Sequence, residues 1–327
     1  MRRKAAERDQ MNLVNAQQQR SGLRKLGAGL VASANELLPN SRAIDAAFRR
    51  LRFFQANRRL PRHTSDPAAT FNDLILARMT QDDWSPLERT CVDKEYAKLI
   101  AAALSPAVRL SQTLRIIALE PETGAEVARE VLSARSGRDE VAKPTHGSGA
   151  VLFLRDRPPP QTIAAFCHAA SRSYYAMSRE SQYRGLKRKI IVEEDLSGES
   201  GAPEDYKFFC SHGEVLFCQV DVGRFTRHRR RLVTPDFTPI DVRFAYDWPE
   251  TMPEPPHNFA EMCRVAQELS RLFPFVRIDL YSIGNVVYFG EFTFAPEGGA
   301  GALSCEAFGI AVMERIRACI ARQEAEA

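Results

Sequence analysis

The stretch FVRIDLYSIGNVVYFGEFTFAPEGG, residues 275–299, constrains this chain more than any other. It reads as two β-strands joined by a short turn, with charge at positions where apolar strands normally carry none. Val276, Ile278 and Leu280 alternate with Arg277, Asp279 and Tyr281, so period-two geometry sends the aliphatics to one face and Arg277 and Asp279 to the other. Residues 282–285 (SIGN) supply the turn chemistry. In the second strand Val287, Phe289, Glu291 and Thr293 share one parity. Folding the hairpin brings Glu291 within a residue or two of Asp279, roughly 5–8 Å away. Two carboxylates that close repel unless a proton or a cation lies between them. An arginine beside them and a hard divalent cation would satisfy the set. The alternative is an exposed hairpin face carrying one salt bridge.

The rest of the chain sets the context for that pair. With 327 residues it is long enough for two or three domains and a substantial core. No apolar run approaches the eighteen or so residues that a membrane-spanning helix needs. The basic N-terminus lacks the apolar segment of a secretory signal. The seven cysteines are scattered, odd in number and free of any C-x-x-C pair, which argues for reduced, mostly buried thiols and a cytoplasmic setting rather than a disulfide framework. Residues 1–62 hold fourteen Lys or Arg against four Asp or Glu, a net of +10, so the remainder carries 4 − 10 = −6. Such a leader suits docking on an acidic protein or membrane surface. It offers only Phe48, Phe53 and Phe54 as aromatics and no nucleic-acid-binding signature, so a solvated or docking helical arm is expected.

Periodicity predicts helices over residues 43–55, from Ala69 through FNDLILARM, and over 93–104, the last stopped at Ser105 and Pro106. Residues 109–119 read as a strand, followed by a turn and helix, and short strands flank a glycine loop at 141–143 and 151–154. One helix is expected over 161–185, with Phe166, Ala169, Ala170 and Tyr174 as its buried stripe. Strands KIIVEEDL, DYKFFCS and VLFCQVDV come next, then a polar, proline-rich connection over 229–257 whose arginines, with Arg224 and Arg227, read as a solvated loop. Asn258 and Glu261 form a capping-box pattern for a helix with Met262, Val265, Leu269 and Leu272 as its stripe. A helix over 305–322 follows the hairpin. This order predicts an α+β chain: a basic helical arm (1–66), a further N-terminal region (67–140) and an α+β catalytic body (141–325).

Two further segments could carry chemistry. In VAKPTHGSGAVLF (141–153), Lys143 at a strand end can reach phosphate oxygens, and a loop with two glycines and a serine can lay backbone N–H groups over a polyphosphate. Its spacing is not that of a Walker loop, and Gly–Ser–Gly also makes ordinary hairpins. His146 by itself suits a loop hydrogen bond better than a catalytic base. In KIIVEEDL (189–196) an apolar strand runs into Glu193 and Glu194, where backbone groups could meet an adenine edge. Asp205 of DYK could accept from ribose hydroxyls while Lys207 faces phosphates. Each of these also reads as an ordinary solvated strand end.

Taken in order, the pieces resemble the ATP-grasp pattern, and within it the TupA-like family associated with teichuronopeptide and other surface-polysaccharide biosynthesis. The matching residues are FND (71–73), DKEY (93–96), KPTHGSG (143–149), IVEE (191–194), DYK (205–207), RIDLY (277–281) and GEFTF (290–294). The resemblance spans roughly residues 70 to 300. It implies an ATP-grasp fold with the nucleotide between two α+β subdomains. It implies that Lys143 contacts the α- and β-phosphates, that the loop His146, Gly147, Ser148 and Gly149 closes over the nucleotide, and that Glu193, Glu194 and Leu196 hold adenine. Asp205 would bind ribose, with Lys207 near the phosphates. Asp279 and Glu291 would hold Mg2+ on ATP, and Arg277 would steady the transferred phosphoryl group. Many ATP-grasp enzymes carry E-x-N on the metal strand; here it is Glu291-Phe292-Thr293, which makes Thr293 the third metal candidate and a weaker one.

By the same resemblance the chain would be an ATP-dependent carboxylate–amine ligase, with a uronic acid, amino acid or surface glycan as acceptor and Arg224 as a candidate for holding the carboxylate or acylphosphate. A kinase acting on a sugar hydroxyl and a non-catalytic docking protein are the alternatives. The residue types suit phosphoryl transfer, which needs charge neutralisation and alignment more than a protein nucleophile.

Overall fold

The computed structural model describes residues 34–134, 139–197, 204–223 and 228–326. Arg224 and Arg227, and most of the basic arm, lie outside these residues.

The described strands form two antiparallel sheets. A four-stranded sheet has the order β1-β4-β2-β3, from β1 (Thr113–Ala118), β4 (Lys189–Glu194), β2 (Glu140–Pro144) and β3 (Leu152–Phe153). A six-stranded sheet has the order β10-β9-β5-β6-β7-β8, from β5 (Asp205–Ser211), β6 (Glu214–Val222), β7 (Arg229–Val233), β8 (Pro239–Ile240), β9 (Val276–Ile283) and β10 (Val286–Thr293). With the helices that cover them, these sheets give the mixed α+β architecture that the sequence predicts.

The six-stranded sheet is covered on both faces, which explains why β5 is buried along its whole length. One face carries Tyr206, Phe208, Ile278 and Leu280 under the helix Phe259–Ser270, whose Phe259 ring lies 5.6 Å from Phe208. The other face is divided. At one end Phe209 stacks on Phe217 at 4.2 Å and meets Phe71 of the helix Phe71–Gln81 and Phe275. At the other end the same face is polar: Lys207 is in register with Gln219 and with Asp279, and Asp279 with Glu291. The exposed-face alternative for the hairpin is therefore overturned, since Asp279 is 2% exposed and Arg277 7%.

Gly290 reshapes the hairpin. It is the extra residue of a β-bulge, so Phe289 pairs with Leu280 and Glu291 with Asp279. The bulge reverses the parity expected from sequence. Val287 and Phe289 fall on the Leu280 face, whereas Glu291 and Thr293 join Arg277 and Asp279. A Cβ at Gly290 would lie 2.9 Å from the Asp279 carbonyl oxygen, so the close pairing requires glycine. The turn is Gly284–Asn285, with both φ angles positive, as a two-residue hairpin of this twist demands.

Other expectations are corrected. The single helix over 161–185 is three pieces, Pro160–Ser171, Tyr174–Ser178 and a 3₁₀ turn Ser181–Tyr183. The chain turns at Arg179, whose backbone is left-handed and whose fully buried guanidinium donates to the Pro39 and Leu38 carbonyls. Tertiary demand for that cation overrides helical propensity. Ala169 is exposed, and Ile163 and Cys167 take its place in the buried stripe. The proline-rich connection contains β7 and β8, and its Arg230 is buried on Asp221. Asn258 makes no cap with its side chain; its Oδ1 accepts from the Ser282 hydroxyl at 2.7 Å. Leu272 is exposed.

Candidate active site

A cleft of about 650 Å³ opens between the two sheets. The four-stranded sheet contributes Lys143 and Phe153, then Glu193 and Glu194 at the end of β4 and Asp195 to Ser197 just beyond it. The six-stranded sheet contributes Asp205, Asp221, Asp279, Tyr281 and Glu291. The floor follows from sheet register. Because antiparallel partners share a face, Lys207, Asp279 and Glu291 form one transverse row, and Arg277 and Thr293 lie in the next row beneath them.

Those rows form one charge network. Arg277 holds Asp279 with two hydrogen bonds, Nε to Oδ1 at 2.6 Å and Nη2 to Oδ2 at 2.8 Å. The same Nη2 donates to Glu291 Oε1 at 3.3 Å and to the Thr293 hydroxyl at 3.1 Å. Thr293 in turn donates to Glu291 Oε1 at 2.8 Å. Lys207 Nζ lies 2.6 Å from Asp205 Oδ2 and 2.7 Å from Asp279 Oδ2. Burial opposes charge on Glu291, yet Lys94, Arg277 and Lys207 outweigh it and hold its carboxyl down to about 2. Burial pushes the Asp279 carboxyl up, against the pull of Arg277 and Lys207. Neighbouring carboxylates thus titrate apart, as functional pairs do.

The second cluster centres on Glu193, 6% exposed at the end of β4. Its Oε2 takes Lys143 Nζ at 3.0 Å, and its Oε1 takes Lys98 Nζ at 2.6 Å and the Ser111 hydroxyl at 3.0 Å. Burial again opposes its charge, but Lys143 and Lys98 draw the carboxyl down to about 2. The Glu193 side chain is therefore committed to lysines. Glu194 and Leu196 line the cleft beside it.

Lys94 and Lys98 were not selected as site residues from the sequence, and they tie the halves of the cleft together. Both project from the helix Lys94–Leu104, one turn apart. Lys98 holds Glu193 of the four-stranded sheet. Lys94 lies 3.8 Å from Glu291 Oε2 of the six-stranded sheet and donates to the Gly147 carbonyl at 2.5 Å. Burial depresses the Lys94 ammonium despite Glu291. The sequence signal was the i, i+4 lysine pair on an otherwise alanine-rich helix. Arg155, ion-paired to Asp195, also lines the cleft without having been anticipated.

The glycine loop is only partly at the cleft. Ser148 and Gly149 line it, Gly149 with a left-handed backbone. His146 is turned away: its Nδ1 accepts from Lys189 N at 3.4 Å and its Nε2 faces the Arg172 carbonyl at 3.3 Å. Gly147 is covered by Tyr174, whose ring a Cβ there would meet at 3.1 Å.

The acids fit one kind of metal. Among the described residues no cluster of three or more metal-ligating side chains exists, and Lys94, Lys207 and Arg277 already balance Asp205, Asp279 and Glu291. Two carboxylates lining a cleft suit magnesium that brings phosphate oxygens and water as its remaining ligands. They do not make a free-standing cage. As placed, Thr293 orients Glu291.

The sequence profile of the family described as TupA-like ATPgrasp matches residues 128–308, more than half of the chain. Among solved structures, D-alanine–D-alanine ligase from Bacillus anthracis is similar at 13% identity and a TM-score of 0.40, over 73% of this chain and 70% of that one. ATP-grasp ligase PsnB complexed with minimal precursor is similar at 12% identity and a TM-score of 0.36, over 76% and 69%. The D-alanine–D-alanine ligase from Helicobacter pylori is similar at 12% identity and a TM-score of 0.37, over 71% and 58%. No curated protein matches the chain.

Proposed function

The chain belongs to the TupA-like ATP-grasp family, and we propose that it is a magnesium-ATP-dependent ligase that joins a carboxylate to an amine through an acylphosphate. A carboxylate oxygen of the acceptor attacks the γ-phosphorus, the bond to the β–γ bridging oxygen breaks and ADP leaves. The amine nitrogen then attacks the acyl carbon, phosphate departs and the nitrogen loses a proton. The acceptor class is a uronic acid, amino acid or surface-glycan precursor.

The observation that carries this reading is the row Lys207, Asp279 and Glu291, with Arg277 bonded to both acids beneath it. Magnesium, when bound, neutralises charge on the phosphates and aligns the transferred group. Asp279 and Glu291 are the residues that would hold it, and Thr293 and Arg277 fix their orientation. Lys143, with Glu193 behind it, is positioned for phosphate oxygens, and Lys94 is the second cation available to them. Ser148 and Gly149 offer a loop rim over the nucleotide, and Glu194 and Leu196 flank the base position. Asp205, at the cleft wall, suits ribose hydroxyls. Preorganised charge of this kind acts where water is excluded and costs no rearrangement during transfer.

Hydroxylamine trapping tests the reaction. With Mg-ATP and a panel of uronic and amino acids, the ligase forms a hydroxamate from the acylphosphate. A stable phosphate ester with no hydroxamate would instead make the protein a kinase for a sugar hydroxyl.

A further inference from the structure

The glycine loop has a second side. Where helix ends at Arg172 and again at Arg179, the chain folds back to line a separate open pocket of about 530 Å³, bordered by His146, Tyr174, Tyr175, Tyr183, Arg184 and Arg188 among others. His146 faces this cavity, whereas Ser148 and Gly149, two and three residues on, face the nucleotide cleft. Tyr174 lies directly on Gly147, and Lys94 holds the Gly147 carbonyl from the cleft side. One loop is thus the common wall of two cavities.

The chemistry of the second cavity is one-sided. Among the described residues no acidic side chain lines it. Arg184 is committed to Asp82 at 3.0 Å and Asp45 at 2.6 Å, and the Tyr175 hydroxyl donates to Asp45 at 2.7 Å. Arg188 is different. It is half-buried and donates from Nη1 to the Ser171 carbonyl at 2.9 Å, and among the described residues it makes no ion pair. Tyr174 and Tyr183 meet edge to face at 4.7 Å on the same wall. A guanidinium with no acid partner recognises a carboxylate through two parallel hydrogen bonds. Phenol rings beside it take the apolar or ring-shaped body of the ligand. One available arginine suits a carboxylate monoanion better than a phosphate dianion.

We propose that this cavity binds a small carboxylate-bearing molecule, seated on Arg188 with its body against Tyr174 and Tyr183, and that its occupancy is transmitted to the nucleotide cleft through the shared loop. The site does not depend on the ligase reading. Any ligand that shifts the loop on one side must be felt reciprocally on the other.

Calorimetry on the full chain without nucleotide tests the site, with glucuronate and cyclohexanecarboxylate as probes and glucose and cyclohexanemethanol as their neutral counterparts. The carboxylates bind and the neutral compounds do not. Arg188→Ala weakens binding at least ten-fold, and Arg188→Lys restores part of it. Circular dichroism of Arg188→Ala matches the wild type, which separates loss of the site from loss of the fold. Repeating the titration with AMP-PNP changes the carboxylate affinity by the factor by which the carboxylate changes that of AMP-PNP. No carboxylate binding, equal binding of the neutral compounds, or unchanged binding in Arg188→Ala would overturn the site. Equal affinities with and without AMP-PNP would overturn the coupling. Carboxylate binding at Arg188 by a protein that forms no hydroxamate would leave this site standing and remove the ligase reading.

Discussion

Asp279 and Glu291 are register partners on adjacent strands, and one guanidinium nitrogen of Arg277 donates to both. The bulge at Gly290 makes this relationship possible by placing Glu291 on the Asp279 face. Several consequences of that arrangement can be measured.

Glu291→Gln keeps the shape of the side chain while removing the charge that faces the cleft. Because the Glu291 side chain is 30% exposed against 3% for Asp279, its loss costs the fold less. Turnover of Mg-ATP at saturating acceptor should fall by about 10²-fold or more, on the scale of removing one preorganised electrostatic group. Asp279→Asn should lose activity as well. It takes from Arg277 and Lys207 the acid they share and leaves only Glu291 and Asp205 to balance them, which destabilises by about 3 kcal/mol. Steady-state turnover and urea denaturation of the two variants separate these effects, and wild-type turnover in both would remove Asp279 and Glu291 from the mechanism.

Metal binding should be conditional on nucleotide. With only two carboxylates available and both held by cations, Mg2+ titrated alone gives no calorimetric signal, whereas Mg2+ added with ATP does. A saturable Mg2+ isotherm on the nucleotide-free protein would contradict the two-carboxylate assignment.

Acid should weaken the fold through Glu193. Its carboxyl drops from 4.5 to about 2 in the folded chain. A group depressed on folding contributes its full stability above its unfolded value and loses that contribution as pH falls through the folded one. The window is therefore pH 4.5 down to about 2, and the contribution lost is about 3 kcal/mol as an order of magnitude. Urea melts at several pH values should show a steeper acid loss in the wild type than in Glu193→Gln. Parallel curves would mean that Lys98 and Lys143 do not hold the charge.

Gly290→Ala tests the bulge. The added methyl would sit 2.9 Å from a backbone oxygen that has no room to retreat. A loss of about 1–3 kcal/mol is expected from the overpacking, with turnover falling further than stability alone explains because Glu291 moves with the strand. Chemical denaturation and turnover measured on the same preparation decide it, and an unchanged protein would mean that the register is not fixed there.

The chain by itself determined the polar hairpin, the order of strands and helices over most of the body, and the family pattern. These are local signals: alternation, turn residues and short motifs are written in neighbouring positions. Even Asp279 and Glu291 could be brought within a residue or two of each other from sequence, because a tight turn sets which stretches of the two strands meet. The parity of Glu291 could not be read there, since a bulge depends on the partner strand. Lys94 and Lys98 stand far from Glu193 and Glu291 in the chain, and their charges gain meaning only when the helix Lys94–Leu104 is set between two sheets. The turn at Arg179 is likewise a tertiary decision: a wholly buried guanidinium must be given carbonyls and Asp45, and that requirement outweighs helical propensity. The cavity that His146 and Arg188 share is likewise read only from the fold. Sequence supplied the groups, and burial with long-range pairing decided which of them face one another.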